Sequence, residues 1–321
     1  LYHNNGKGYF TDATRAVIRG YWRLFGMSAT FGDYNRDGRL DFYVAGMAST
    51  TARRLEQMKL GRRDRPQVHL HRMRMGYGNR MYLAVDDGYE EPAFRDQVAR
   101  TGWTWGTTTL DFDNDGDRDI FVANGHSSGK STKDHCTHFW CHDIYDADSK
   151  PNLAMEELFR DVHQGYFDRS ESWDGYQKNQ LLMNLDGKSF RNVAFLLGVA
   201  DEFDARAALS DDLDGDGHVD LLVVEDRWTD GQILHVYRNT YEDGGNWIGV
   251  RLADAPGKRS PIGAQVTVIA GEDRHVAQYV TGETIHGQHA PTLHFGLGET
   301  KAVQSIEIRW PNSTAVRRLE Q

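Results

Sequence analysis

The sequence predicts an all-β protein: β-propeller blades carrying helical inserts, followed by a small β-sandwich. Three observations carry this prediction. A nine-residue acidic loop occurs three times, and each copy runs into an apolar strand. An aromatic or apolar strand with an Asp/Asn-Gly turn starts 29 to 31 residues before each loop. From Asn246 onward the pattern changes to short alternating segments separated by Gly/Pro turns. Composition agrees, since 33 Gly and 36 Trp, Tyr and Phe among 321 residues favour turn-rich β structure. With 39% hydrophobic and 26% charged residues, the chain can bury a core and general disorder is excluded.

The loops are Asp33-Tyr34-Asn35-Arg36-Asp37-Gly38-Arg39-Leu40-Asp41, Asp111-Phe112-Asp113-Asn114-Asp115-Gly116-Asp117-Arg118-Asp119 and Asp212-Leu213-Asp214-Gly215-Asp216-Gly217-His218-Val219-Asp220. Each reads D-x-[DN]-x-D-G-x-x-D. Oxygen side chains at positions 1, 3, 5 and 9 can converge on one hard cation, with a backbone carbonyl from position 7 (Arg39, Asp117, His218). Glycine at position 6 permits the sharp turn that brings them together. An EF-hand would place a bidentate Glu at position 12 and continue as a helix. Here position 12 is Val44, Val122 and Val223, within β-branched runs. These are expected to be three Ca²⁺ loops feeding strands. The all-acidic second loop should bind best, and the first, with Asn35, more weakly. Without a cation the carboxylates would repel one another.

The paired elements are Leu1-Tyr2-His3-Asn4-Asn5-Gly6, Met81-Tyr82-Leu83-Ala84-Val85-Asp86-Asp87-Gly88 and Leu181-Leu182-Met183-Asn184-Leu185-Asp186-Gly187, whose turns signal hairpins. Hairpin and following loop read as one unit of about fifty residues, the size of a propeller blade. Two inserts enlarge the first two units. Residues 50–76 are rich in Arg and carry a helix-like stretch ending at Gly61. Residues 126–177 carry a helix from Pro151 with Met155, Leu158, Phe159 and Val162 on one face, closed by Gly165. The expected domains are 1–240 and 241–321.

The loops with their Gly-rich lead-ins (Phe31-Gly32, and Gly102-Trp103-Thr104-Trp105-Gly106) resemble the FG-GAP/VCBS repeats of integrin-type propellers. That resemblance implies Ca²⁺ in the loops. A closed propeller has more blades than three, so the ring is either partial or completed by something else. Ile262-Gly263-Ala264, Phe295-Gly296-Leu297-Gly298 and Ile308-Arg309-Trp310-Pro311 resemble the ASPIC/UnbV domain. Together the two resemblances imply the architecture of the cartilage-acidic-protein family, a mostly secreted group implicated in adhesion and matrix contacts.

Gly125-His126-Ser127-Ser128-Gly129 matches a hydrolase nucleophile elbow in letters, but no β-α alternation surrounds it, so a plain Gly/Ser loop is expected. Cys136 and Cys141 lie in a cluster with His135, His138 and His142. Three readings stay open there: a Cys136–Cys141 disulfide, a Zn or Cu site using thiolate and imidazole ligands, or free thiols. His286, His289 and His294 are expected as packed or surface histidines.

A formal charge of −10 argues against a general nucleic-acid binder. No apolar run reaches the length of a membrane span. With neither an initiating Met nor a signal-like start, the chain is expected to be a mature or truncated form. The expected function is a secreted, periplasmic or cell-surface scaffold that contacts protein or polysaccharide, alone or within a larger assembly. The alternative is a Cu- or Zn-dependent enzyme, such as an oxidoreductase, centred in the 126–177 insert.

Overall fold

The computed structural model describes residues 1–60, 64–145, 153–228, 230–253, 260–311 and 313–320. The chain opens with a hairpin of β1 (Tyr2–Asn4) and β2 (Phe10–Asp12), followed by the short helix α1 (Thr14–Val17) and β3 (Ile18–Arg19). Then β4 (Gly26–Gly32) and β5 (Asp41–Gly46) flank the first acidic loop. Helices α2 (Thr50–Gln57) and α3 (Pro66–Met75) lead to the β6 (Arg80–Val85) and β7 (Gly88–Glu90) hairpin. These strands form one sheet in the order β3-β7-β6-β5-β4.

After α4 (Arg95–Ala99), β8 (Thr104–Leu110) and β9 (Asp119–Asn124) flank the second loop. Helices α5 (Cys136–Tyr145) and α6 (Leu153–Phe167) precede the hairpin of β10 (Gln180–Leu185) and β11 (Ser189–Asn192), giving a sheet β11-β10-β9-β8. The third sheet is β12 (Ala205–Asp211), β13 (Asp220–Asp226) and β14 (Gln232–Tyr237). The register closes identically at each loop: Gly32 pairs with Asp41, Leu110 with Asp119 and Asp211 with Asp220.

The three sheets stack face to face as propeller-like blades. Tyr34, Tyr43, Met81, Ile120, Val122, Leu182 and Phe190 fill the space between the first and second. Leu110, Phe121, Ala123, Leu181, Ala205, Leu221 and Val223 fill the space between the second and third. Every residue of β9 is buried because this strand is covered on both faces, which explains why Ile120-Phe121-Val122 is a continuous apolar run. Among the described residues the blades form an arc of three rather than a closed ring, and β1 and β2 pair only with each other.

The unit read from sequence is divided in space. Each loop-flanking strand pair joins the hairpin that follows it, not the one before: β5 pairs with β6, and β9 with β10. A blade is therefore strand, loop, strand and next hairpin, with the inserts between its second and third strands.

Both inserts lie at the same end of the blades and pack together through Met47, Ala52, Leu55, Trp103, Cys136 and Trp140. Ser49 caps α2 by accepting from the Ala52 amide at 3.1 Å. That helix ends at Gln57, and Gly61 lies outside the described residues. Gly165 does not stop α6, which runs on to Phe167. Pro151 lies outside the described residues, as do the side chains of Met155, Phe159 and Val162, and Leu158 is exposed.

The C-terminal segment is a two-sheet sandwich. One sheet pairs β15 (Asn246–Arg251) with a later strand. The other is built on β16 (Gln265–Ala270) and β17 (Asp273–Gln278). Strand β18 (Thr292–Gly298) joins β15, while β19 (Ser305–Arg309) and β20 (Val316–Glu320) extend the second sheet to β17-β16-β19-β20. Val250, Phe295 and Leu297 from one sheet meet Val266, Val268 and Ile308 from the other. No helix among the described residues is long and apolar enough to cross a membrane.

Candidate metal sites

The three acidic loops share one backbone geometry. The position-6 glycine amide donates to the position-1 carboxylate at 2.8 Å (Gly38 to Asp33), 3.1 Å (Gly116 to Asp111) and 2.9 Å (Gly217 to Asp212). The position-7 amide donates to the position-5 carboxylate at 3.0 Å (Arg39 to Asp37), 2.7 Å (Asp117 to Asp115) and 2.9 Å (His218 to Asp216). Those three glycines have φ of 83°, 91° and 89°, so a side chain there would be strained. Residues at position 4, Arg36, Asn114 and Gly215, also take positive φ.

Position 9 does something the spacing alone did not reveal. Its two carboxylate oxygens tie the loop to the blade's third strand. Asp41 accepts from the amides of Tyr34 at 2.9 Å and Ala84 at 2.7 Å. Asp119 accepts from Phe112 at 3.3 Å and Asn184 at 2.8 Å, and Asp220 from Leu213 at 3.1 Å and Asn239 at 2.8 Å. Asn184 and Asn239 then reach the preceding blade, donating to the carbonyls of Tyr34 and Phe112 at 2.9 and 2.7 Å.

The loops differ in what faces their remaining oxygens. In the first, Arg39 folds back onto Asp37 with Nη2–Oδ2 at 2.7 Å. In the third, Arg238 bridges Asp214 and Asp216 at 2.8 and 3.0 Å. In the second, Asp111, Asp113 and Asp115 bring carboxylate oxygens within 4.8 Å of one another. Asp214 and Asp216 form a similar group with Asp212. Among the described residues, buried oxygens without a hydrogen-bond donor occur in the second loop at Asp111 Oδ1, Asp113 Oδ1 and Asp117 Oδ1, the last with Arg36 3.4 Å away. Burial raises Asp111 to about 8 and Asp113 to about 6, the latter helped by Asp115. Burial also raises Asp117 to about 6 and Asp119 well above the usual carboxylate range. In the first loop it raises Asp33 to about 6 and Asp41 to about 7. A divalent cation would favour the ionised forms and reverse this penalty.

The second loop is also where the sandwich docks. The Gly296 amide donates to Asp111 Oδ2 at 3.2 Å, and a Cβ on Gly296 would stand 2.2 Å from that oxygen. Gly245 and Gly298 amides donate to the carbonyls of Asp113 and Asn114, both at 2.8 Å. Fully buried Asn114 donates to the Gly217 carbonyl in the third loop at 2.9 Å and meets His294 Nε2 at 2.6 Å. Arg118 donates to the His294 carbonyl at 2.8 Å. The Phe295-Gly296-Leu297-Gly298 motif is visible in the sequence, but nothing in it discloses Asp111 as its partner. His289 is a second pin, with Nδ1 3.0 Å from the Ser210 carbonyl and Nε2 3.2 Å from Thr108 Oγ1.

In the Cys/His insert, the structure separates the thiol from the imidazoles. Cys136 is a buried free cysteine whose Sγ lies 3.7 Å from Ser49 Oγ and groups with Asp134 and Asp174. Burial pushes its thiol well up, so it is protonated and not a thiolate. It is not bridged to Cys141. Both cysteines lie on α5, and a helix puts Cα atoms five residues apart beyond disulfide reach. The side chains of Cys141 and His142 lie outside the described residues. His135 and His138 face the opposite way, toward Glu171. The Gly125–Gly129 stretch enters no helix: Ser127 bridges Trp173, and Ser128 Oγ donates to Asp204 at 2.9 Å.

Residues 1–44 match the FG-GAP-like repeat, and residues 255–321 match the ASPIC and UnbV family. The chain thus carries an FG-GAP-like repeat at one end and an ASPIC/UnbV domain at the other. It is similar to Cartilage acidic protein 1 of Homo sapiens, 24% identical over 328 residues, an alignment covering 99% of this chain and 38% of that protein. The chain therefore spans well under half the length of this curated relative.

Proposed function

We propose that this chain is a calcium-stabilised extracellular scaffold whose blades and inserts present a rigid surface for protein or polysaccharide contacts. The observation carrying this reading is the pair of buried, donor-less carboxylate oxygens on Asp111 and Asp113, set where two blades and the sandwich converge. Asp111, Asp113 and Asp115 would hold Ca²⁺, and the ion would meet the carboxylate oxygens that no hydrogen bond reaches, adding to the positive charge of nearby Arg118. Asp212, Asp214 and Asp216 would form a weaker site in competition with Arg238. Similarity to Cartilage acidic protein 1 supports a role at a matrix or cell surface.

Chelation tests this directly. A ligand at a hundredfold excess over its Kd adds about 2.7 kcal/mol per site. Chelator should therefore lower the melting temperature by roughly 5 °C or more and open protease cleavage between Asp111 and Asp119. Asp111→Asn should lose most of the calcium-dependent shift, keeping only what the weaker third-loop site contributes. Identical melting of the unmodified chain with calcium and with chelator would sink the proposal.

A further inference from the structure

We infer that His135, His138 and Glu171 form a separate binding site for one first-row transition-metal dication, with Zn²⁺ the best match. One ligand atom from each lies within 4.8 Å of the others. Three buried atoms there have no hydrogen-bond partner among the described residues: His135 Nδ1, His138 Nδ1 and Glu171 Oε2. His135 is fully buried, so its bare nitrogen has no access to water and faces a cost unless something fills the space. His138 Nδ1 and Glu171 Oε2 are 3.9 Å apart, too far for a hydrogen bond. That gap suits a metal ion bound by both, since tetrahedral zinc ligands at about 2.1 Å lie roughly 3.4 Å from each other.

The surroundings hold these groups in place. His135 Nε2 lies 3.0 Å from His163 Nδ1; in the tautomer where His135 donates its Nε2 proton to His163, its Nδ1 is a free lone pair for a metal. Lys133 binds Glu171 Oε1 and leaves Oε2 to face the histidines. The backbone locks the approach: His135 donates to the Ser172 carbonyl at 2.7 Å, and Ser172 to the Lys133 carbonyl at 2.9 Å. Gly165 lies in α6, where a Cβ would stand 2.9 Å from Glu171 Cδ. Its missing side chain admits the glutamate. Rings of Trp173 and Tyr166 pack on His135 with centroids at 4.8 and 5.7 Å and keep that side dry. His138 is partly exposed, so an open coordination position would face solvent on its side.

Two imidazoles and one carboxylate select against Ca²⁺, which takes oxygen ligands, and favour zinc-type ions. Three protein ligands with an open fourth position are the pattern of reactive rather than purely structural zinc. Cys136, which groups with Asp134 and Asp174, is not part of this ligand set.

The test uses the full chain, stripped with chelator, reloaded with excess calcium and titrated with Zn²⁺ alone. Bound metal is measured by elemental analysis after desalting. A parallel Co²⁺ titration reads the visible d–d bands of a nitrogen/oxygen site. One retained zinc equivalent is expected, with affinity reduced at least ~10-fold in His138→Ala and in Glu171→Gln. Cys136→Ser should bind as the unmodified chain does. His138 is partly exposed and Glu171→Gln conserves shape, and melting curves of both variants serve as the check that they are folded. No stoichiometric zinc in the unmodified chain would overturn the inference. Equal binding by both variants, or loss of binding in Cys136→Ser, would overturn the assigned ligands.

Discussion

At the scale of single residues, His126 shows how burial sets a charge state in this fold. Its ring stacks on Trp103 with centroids 4.4 Å apart and is boxed by Trp105 and Trp173. Burial, and then the nearby Arg206, lower its pKa to about 4. In the unfolded chain His titrates near 6.5. Between these values the unfolded state binds more protons, so stability falls as pH drops from about 6.5 toward 4 and is unaffected above it. The slope from this one group is about 1.4 kcal/mol per pH unit. His126→Phe keeps an aromatic ring without a titrating group. Its melting temperature should therefore fall less than that of the unmodified chain between pH 7 and pH 4.5. Parallel curves for the two proteins would contradict the assignment. Trp103 is buried, as expected of an aromatic residue just ahead of a core strand. The stacked histidine beside it was not legible, because nothing in Gly125-His126-Ser127 states which ring will lie over it.

At the scale of elements, the loops and their following strands were readable because ligand spacing and β-branched runs are local. The blades were not, since pairing β5 with β6 brings together strands separated by a whole insert. Hairpin and loop adjoin in sequence, so the sequence unit runs across a blade boundary. The match of residues 1–44 to an FG-GAP-like repeat spans that same sequence unit. The cysteine cluster was only partly legible for a related reason. Its residues are neighbours in the chain, yet α5 turns Cys136 toward Asp174 and His138 toward Glu171. Glu171, the third member of the histidine group, comes from the strand-like return after α6 and carries no local signal. The β18 connection makes its own prediction. Gly296→Ala places a Cβ on Asp111 and on the Asn114 backbone, which cannot give way. The expected cost is about 1–3 kcal/mol, seen as a lower melting temperature with the sandwich separating first from the blades under limited proteolysis. Unchanged stability would show that the sandwich does not dock through this strand.

At the scale of the whole molecule, the second loop is where the parts meet. Asn114 touches the third loop and the sandwich, Asp119 the third strand of its own blade, and Arg36 from the first loop approaches Asp117 at 3.4 Å. A cation held by Asp111, Asp113 and Asp115 would thus stabilise three blades and the sandwich together, giving a rigid platform on which the two inserts pack side by side. Hydrogen exchange followed by mass spectrometry, with calcium and with chelator, tests this coupling most directly. We expect calcium to slow exchange at residues 111–119 and, to a similar degree, at residues 292–298 and 244–246 in the sandwich. Slowing confined to residues 212–220, or none in the sandwich, would contradict a calcium-held junction at the second loop.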